Sequence, residues 1–246
     1  MLEWIRFAIV VSAMIIAASV LLRSSSIGMG WLPLVALLRA AVQLGAVSLL
    51  LGGVATAPWT AVLFVVLMFS TASLTTARRA RELPRGRLAT VAGTIVGAGT
   101  AITVILGTGL VGLIPQSVIA VAGIVIGGCM TVATLSSRHY LAGVRARRDE
   151  VEAWLSLGAH PWEAVDLPRR EAVREALIPN LDQTKSTGLV TLPGAFVGAL
   201  FGGATALEAA QFQLIVLAGL AFGGTITALL TTRIASRSSV LPADPA

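Results

Sequence analysis

Long runs of apolar residues, separated by short polar segments, constrain this chain more than any other feature. The hydrocarbon core of a bilayer is about 30 Å thick, and an α-helix needs roughly 20 apolar residues to cross it. Seven stretches come near that length, in chain order 5–22, 31–53, 58–76, 88–113, 115–136, 188–203 and 209–232. Only helices pair all their backbone groups within one segment in lipid. The sequence therefore predicts an all-α, polytopic membrane protein with about seven transmembrane helices.

The charge content excludes the soluble classes. Only 12% of the residues are charged, whereas soluble globular chains carry about 25%. The net charge of +6 could indicate nucleic-acid binding, but the basic residues are confined to segments between the apolar runs. Membrane topology explains them better, and no nucleic-acid partner is expected. The chain has one cysteine and two histidines, so a disulfide within the chain is excluded and a structural metal is not expected.

The positions of the basic residues predict the orientation. Five arginines crowd into residues 78–87, and eight basic residues lie in 137–187. Positive residues are enriched in cytoplasmic loops, so both segments are placed inside, with the N-terminus outside and the C-terminus inside. Glu3 offsets Arg6 before the first run and more spans follow it, so this run is interpreted as a span and not as a secretory signal. We expect one integral-membrane domain, 1–246, in a cell membrane, the bacterial cytoplasmic membrane in particular, with a flexible tail at 233–246.

Several chemical features are missing from the predicted spans. All twelve acidic residues fall in predicted loops or tails, whereas ion-coupled carriers usually hold a carboxylate at membrane depth. No Gly-x-Ser-x-Gly motif is present, and the single lysine, Lys185, follows Asp182-Gln183-Thr184 instead of a glycine-rich phosphate loop. We therefore predict no catalytic residue and no cofactor bound by this chain. Energy for transport would have to come from a partner.

A few residues inside the spans are candidates for function. Arg39 and Gln43 are one helical turn apart and share a face, so they either line a polar path or lie near a helix end, where Arg39 extends to the interface. Cys129 and Met130 offer soft sulfur ligands for a metal in transit, although such residues more often serve packing. Pro193 and Gly194 interrupt the sixth span, and irregular backbone at that depth is tolerated where it lines a cavity.

Glycines recur at intervals of four residues in the spans. The densest case is Gly194, Gly198 and Gly202, which form one smooth stripe against which another helix can pack closely. Gly93 with Gly97, Gly123 with Gly127 and Gly219 with Gly223 have the same spacing. The stripe predicts either packing within the chain or a homodimer interface.

The segment 137–187 has the pattern of a compact cytoplasmic projection. The fifth span is expected to continue as a helix to Gly158, whose residue type suits a left-handed helix end. Pro161 would open a short helix, and Pro168 a second helix that reaches Ile178 and stops at Pro179. Trp162 lies at the tip, so the segment is interpreted as a docking device for another protein, with a folded loop that binds no partner as the alternative.

Blocks of sequence along nearly the whole chain resemble a known family. They are Leu37-Leu38-Arg39-Ala40-Ala41-Val42-Gln43-Leu44, Leu155-Ser156-Leu157-Gly158-Ala159, Ala176-Leu177-Ile178-Pro179-Asn180, Thr187-Gly188-Leu189-Val190-Thr191-Leu192-Pro193-Gly194, and Gln211 to Gln213. The chain resembles the FetB-type family of ABC-transporter permeases in these blocks, and the Thr-Gly…Leu-Pro-Gly block is the most specific.

The resemblance implies the permease subunit of an ATP-driven exporter, with a metal ion such as iron as substrate. It implies a homodimer that binds two cytoplasmic ABC ATPase subunits, which hold the ATP and magnesium. The expected ATPase-coupling residues are Glu152, Ala153, Gly158, Ala159, His160, Pro161 and Trp162. The expected path residues are Arg39, Gln43, Pro193, Gly194 and Gln213. Two alternatives stay open from the residues alone: an ATP-independent channel or facilitator, and a membrane scaffold that transports nothing.

Overall fold

The fold is all-α. The structure, a computed structural model, describes residues 2–25, 27–54 and 59–238, and no strand occurs within these ranges. Its helices are α1 (Leu2–Ser24), α2 (Leu32–Val54), α3 (Trp59–Arg79), α4 (Gly86–Gly107), α5 (Pro115–Ala146), α6 (Arg148–Ser156), α7 (Pro161–Ala164), α8 (Asp166–Ser186), α9 (Gly194–Phe201) and α10 (Ala206–Ser236). Among the described residues, α1, α3, α4, α5 and α10 are long and apolar enough to cross a membrane, and α2 contributes a shorter apolar stretch, Leu32–Ser48. The predicted polytopic all-α class is confirmed.

The chain divides into two compact units, Met1–Pro58 and Trp59–Ala246. In the first unit α1 and α2 pack against each other as a helical pair. At the connection between them, the guanidinium carbon of Arg23 lies 6.0 Å from the centroid of the Trp31 ring. This distance suits a cation–π contact between a basic helix end and an aromatic residue.

The core of the second unit is formed where α4, α5 and α10 pack together, with α3 against α4 and α5. Small and β-branched residues fill it, among them Ala98, Ala101, Val121, Val125 and Cys129, all at most 1% exposed. Small side chains allow the helix backbones to approach closely. Helices in a membrane associate through such van der Waals packing, because the hydrophobic effect does not drive their association in lipid.

Glycines of α4 set its distance from α10. A Cβ atom at Gly93 or Gly97 would collide with the hydroxyl oxygen of Thr231 or Thr227, respectively. The same threonines join the helices, because the Thr227 hydroxyl donates to the carbonyl oxygen of Gly93 at 3.0 Å and the Thr231 hydroxyl to that of Ala89 at 3.3 Å. The predicted packing role of the Gly93 and Gly97 pair is confirmed.

Helix boundaries in the polar segment differ from the predicted ones. The helix that follows the fifth span breaks at Arg147, so α5 and α6 are separate. The predicted stop at Pro179 is wrong, since α8 continues through that proline to Ser186. Proline removes one backbone hydrogen bond, but α8 is held by buried Ala172 and Ala176, which pack in clusters with residues of α5 and α10. Tertiary packing therefore overrides the local cost.

The expected sixth span is not a continuous helix. Residues 187–193 are non-helical and contain an isolated bridge between Thr187 and Thr191, and α9 has only eight residues. Pro193 disfavours helical geometry in the residue before it, so the helix begins only at Gly194. At the C-terminus α10 continues through Arg233 to Ser236, and residues 239–246 of the predicted flexible tail lie outside the described part of the chain.

Candidate functional site

The turn between α6 and α7 is fixed by Gly158. Its φ of +88° is in the left-handed region, where glycine has no steric cost. The Gly158 amide donates to the Leu155 carbonyl at 3.0 Å, and the Ala159 amide donates to the Trp154 carbonyl at 3.1 Å. These two bonds make a Schellman motif, so the predicted end of the helix at Gly158 is confirmed.

The short helix α7 begins at Pro161, as predicted. The backbone N–H of His160 donates to Oε2 of Glu163 at 2.9 Å, which closes the first turn. The His160 and Trp162 rings stack with centroids 6.0 Å apart and an interplanar angle of 10°. One face of the Trp162 ring is therefore covered by His160, in the first turn of α7.

Large apolar side chains are exposed around this turn. Leu157 is 82% exposed, and Trp154 and Trp162 are each 52% exposed. We call Trp154, Leu157, Gly158, His160 and Trp162 the coupling surface. Exposed aromatic residues with little conformational freedom are typical anchors of protein–protein interfaces. Glu152 and Ala153, which were expected in the same role, are exposed on α6, and Oε1 of Glu152 lies 2.8 Å from Nε of Arg148.

Buried residues connect the coupling surface to the long helices. Val151 of α6, Ala164 of α7 and Val165, which directly follows α7, are each at most 7% exposed. They belong to one hydrophobic cluster with Tyr140 of α5 and Ala235 of α10. Both α6 and α7 are therefore packed against the C-terminal parts of α5 and α10 through buried side chains.

Ion pairs strengthen this connection. Arg147, between α5 and α6, binds Glu171 of α8 through both ends of its guanidinium group, at 2.8 and 2.9 Å. Arg145 of α5 reaches Glu82, in the turn between α3 and α4, at 3.2 Å. Bidentate arginine–carboxylate pairs fix geometry as well as charge. The coupling surface is thus supported by contacts that involve α5, α8, α10 and the turn between α3 and α4.

A basic cavity of about 690 Å³ lies beside Trp162. Its lining residues are Trp162, Glu163, Asp166, Arg169, Arg170, Arg233, Ser236 and Arg237. The hydrogen bond from Arg169 lowers the pKa of Asp166, with Arg170 adding to the effect. Asp166 is therefore ionised at neutral pH and offsets part of the positive charge. The cavity keeps a basic excess that suits an acidic group on a partner.

The expected path residues occupy three settings. Arg39 and Gln43 are exposed on α2 and are described within the first unit, and their place in a path stays a prediction. Pro193 is the last non-helical residue before α9, and Gly194 is the first residue of that helix. Gln213 is buried on α10 at 5% exposure, and within the described ranges its Oε1 atom has no hydrogen-bond partner.

A wide apolar cavity of about 1150 Å³ lies between the first turns of α5, α9 and the first half of α10. Gln116, Ser117, Glu208 and Gln211 are its polar lining residues, and Gln213 is not among them. Sequence reasoning missed Gln116 and Glu208. The sequence signal that could have identified them is that each lies in the first turn of a long apolar helix, Gln116 in α5 and Glu208 in α10.

The glycine stripe of α9 has no close helix against it in the described part of the chain. No atom lies within 4 Å of a Cβ position at Gly194 or Gly198, and at Gly202 such a Cβ meets only backbone atoms of α9 itself. Gly198 and Gly202 instead line the apolar cavity. A homodimer interface along the stripe stays a prediction.

Cys129 and Met130 lie in the helix packing of α5. Cys129 is fully buried, and its Sγ lies 3.1 Å from the Cβ position of Gly223 on α10. Met130 packs against the same hydrophobic cluster. Over the described residues, no group of three histidine, cysteine or carboxylate side chains could hold a metal ion.

Comparison with known proteins places this chain in a family of membrane proteins. The family model of an uncharacterised protein family, UPF0014, matches residues 4–240. A rice protein, UPF0014 membrane protein STAR2, is 33% identical over 202 residues, which are 81% of this chain and 70% of the relative. The Arabidopsis thaliana protein ALUMINUM SENSITIVE 3 is 35% identical over 173 residues, 70% of this chain and 63% of the relative.

The name of an Escherichia coli relative describes a transport protein. The probable iron export permease protein FetB is 30% identical over 154 residues, which cover 63% of this chain and 60% of the relative. The predicted resemblance to the FetB-type family is confirmed by these matches. No solved structure matches the chain.

Proposed function

The chain belongs to the UPF0014 family, and we propose that it is the membrane-spanning permease subunit of an ATP-driven exporter. A separate cytoplasmic ABC ATPase docks on the coupling surface, and ATP and magnesium bind to that ATPase. The substrate is a metal ion such as iron, in line with the name of the E. coli relative. The chain acts as a homodimer in the bacterial cytoplasmic membrane, with one ATPase subunit for each copy.

The coupling surface is the observation that carries this proposal. Exposed Leu157, Trp154 and Trp162 offer apolar anchors, and the His160 ring stacks on Trp162. Ordered apolar residues lose little conformational entropy when a partner covers them. The basic cavity beside Trp162 supplies complementary charge for an acidic segment of the ATPase.

The support under the coupling surface gives the proposal its mechanism. Closure of the ATPases on ATP would move α6 and α7 as one body, because both share a buried cluster with α5, α8 and α10. This is a two-state element that a partner biases, and the ATPase must bind the two states with different affinity. Outward transport is expected from the family relationship, and the polar path would lie near the break between α8 and α9.

Two features support the homodimer. The glycine stripe of α9 has no helix packed on it in the described residues, and such stripes favour close helix contacts in membranes. The cavity beside it is open and mostly apolar. A second copy would cover both.

Copurification tests the proposal. The tagged chain is extracted from its native host in mild detergent, and native mass spectrometry determines which proteins accompany it. We expect two copies of the chain with two copies of an ATP-binding protein. Leu157→Asp and Trp162→Asp should abolish this association, since a buried unpaired carboxylate opposes the interface.

Leu113→Asp is the matched control. Leu113 is 72% exposed in the connection between α4 and α5, away from the coupling surface. This variant should keep the ATPase. If the native chain is isolated without an ATPase, or if Trp162→Asp retains it, docking at the coupling surface is wrong.

A further inference from the structure

The course of α8 brings a polar helix alongside two apolar ones. As residue numbers rise along α8, the residues that it contacts on α5 and α10 fall in number. Pro168 contacts Gly143, Ala172 shares a buried cluster with Tyr140 and Ala235, Ala176 shares one with Val132 and Ala228, and Asn180 lies beside Gly224. The helix is therefore antiparallel to both neighbours and leads from their C-terminal ends toward their centres.

The last turns of α8 reach the middle of these spans. Gly224 is near the centre of the 31-residue α10, and Nδ2 of Asn180 lies 3.8 Å from its Cβ position. Lys185 is five residues further along α8, which is about 7.5 Å at the helical rise per residue. Asp182 and Lys185 thus lie at the level of the apolar centre of α10, whereas the sequence alone predicted that no carboxylate lies at membrane depth.

One face of α8 carries four charged residues, with the apolar and half-buried Ile178 among them. Glu171, Glu175, Ile178, Asp182 and Lys185 recur at intervals of three and four residues, so they share one face. The buried residues Ala172 and Ala176 lie outside this face. We call Ile178, Asp182 and Lys185 the deep end of the α8 polar face.

The charges at the deep end are exposed in the single chain. Oδ1 of Asp182 lies 3.0 Å from Nζ of Lys185, and the two side chains are 61% and 77% exposed. Charged groups at membrane depth almost always face a bundle interior or a water-filled cavity, because hydrocarbon cannot solvate them. This face is therefore incompatible with contact to lipid.

The backbone beyond the deep end supports the same conclusion. The chain leaves the helix at Ser186 and is non-helical until Gly194, with Gly188 at a φ of +95°. Leu189 and Val190 are 97% and 80% exposed there. Non-helical backbone at membrane depth is tolerated only where it is buried in protein or lines a water-filled cavity. In addition, the buried Nδ2 atom of Asn180 has no hydrogen-bond partner among the described residues.

We propose that the deep end of the α8 polar face lines a water-filled path through the membrane, over which a hydrated ion passes. The Asp182–Lys185 pair gives this wall a carboxylate and an ammonium group that can separate and re-form as an ion moves past. A second copy of the chain completes the path from the opposite side. This proposal rests on the transport function proposed above, but its location can be tested without transport.

Cysteine labelling tests whether water reaches this face. In a Cys129→Ala background, Ile178→Cys places a thiol on the deep end, and Phe222→Cys places one at a similar level on the exposed side of α10, where Phe222 is 47% exposed. A charged, membrane-impermeant thiosulfonate is applied to open membrane fragments. Ile178→Cys should react roughly tenfold faster or more, because thiols ionise and react in water but not in hydrocarbon.

Equal rates at the two positions would overturn the proposal. Equally slow labelling would place the α8 face in lipid or in dry packing, and equally fast labelling would show that the level compared is not within the bilayer. This experiment needs no ATPase, so the two proposals can fail separately. If the chain is isolated without an ATPase but position 178 is still labelled rapidly, the ATPase proposal is wrong and the proposed path remains supported.

A second pair of variants addresses the role of the charges. Asp182→Asn and Lys185→Gln are far from the coupling surface, so both should still copurify with the ATPase. Both should lose ATP-dependent export, measured with Fe²⁺ as the probe. Export at the native rate in either variant would contradict a role for the pair in the path.

Discussion

At Gly97 the backbones of α4 and α10 leave no room for a side chain. A Cβ atom there would collide with the hydroxyl oxygen of Thr227 and lie 2.5 Å from the carbonyl oxygen of Gly223. Neither group can move aside easily, because both belong to the buried backbone and side chains of α10. At this level the close approach of the two helices therefore requires that residue 97 has no side chain.

We expect Gly97→Ala to lower the free energy of unfolding by about 1–3 kcal/mol, the usual cost of overpacking. Gly99→Ala is the matched control on the same helix, since no atom lies within 4 Å of its Cβ position. The midpoint of thermal unfolding in detergent measures both. A Gly97→Ala variant as stable as Gly99→Ala would show that α4 and α10 do not pack through this glycine.

Residues whose role depends on the local chain were predictable from sequence. Gly158 and Pro161 occupy the positions expected of them, because a left-handed helix end and a first helical residue each favour one residue type. Gln213 was predicted in the path; it is buried on α10, and its role in a path stays a prediction. Its orientation depends on which face of α10 meets its neighbours, and a uniformly apolar helix gives no pattern that identifies this face.

Among the elements, α8 best illustrates what sequence could not predict. Its polar composition suggested a cytoplasmic loop, and Pro179 suggested a helix end. The helix instead continues because Ala172 and Ala176 pack in clusters with residues of α5 and α10. By contrast, α5 and α10 begin within three residues of the predicted positions, since a long apolar run has few alternatives to a transmembrane helix.

The link between α6 and α8 gives a testable prediction at this scale. Arg147→Glu places two carboxylates in contact with each other in place of the bidentate pair with Glu171. The ATPase should still bind, but the amount of iron exported per ATP hydrolysed should fall. We expect a decrease of roughly fivefold, which corresponds to the loss of about 1 kcal/mol of interaction free energy between Arg147 and Glu171.

The exchanged double variant is the control for this prediction. Arg147→Glu combined with Glu171→Arg restores an ion pair of reversed polarity at the same position, so it should recover most of the lost coupling. The ratio is measured in reconstituted vesicles that contain both subunits. If the double variant is as poor as the single one, the pair does not transmit motion between α6 and α8.

For the whole molecule, composition and apolar runs were enough to identify a multi-pass membrane protein, and ordered sequence blocks identified its family. The count of spans was less accurate, because the sixth apolar run is divided between a non-helical segment and the eight-residue α9. Such a break depends on neighbours that supply hydrogen bonds or water. A hydropathy pattern contains no information about them.

The most direct test of an ATPase-driven exporter is the flux of Fe²⁺ into inside-out vesicles that contain the chain alone, the copurified ATPase alone, or both. The account predicts ATP-dependent accumulation of iron against its gradient only when both subunits are present, and loss of this accumulation in Trp162→Asp. Downhill flux of iron through the chain alone, without ATP, would contradict it and identify a channel or facilitator.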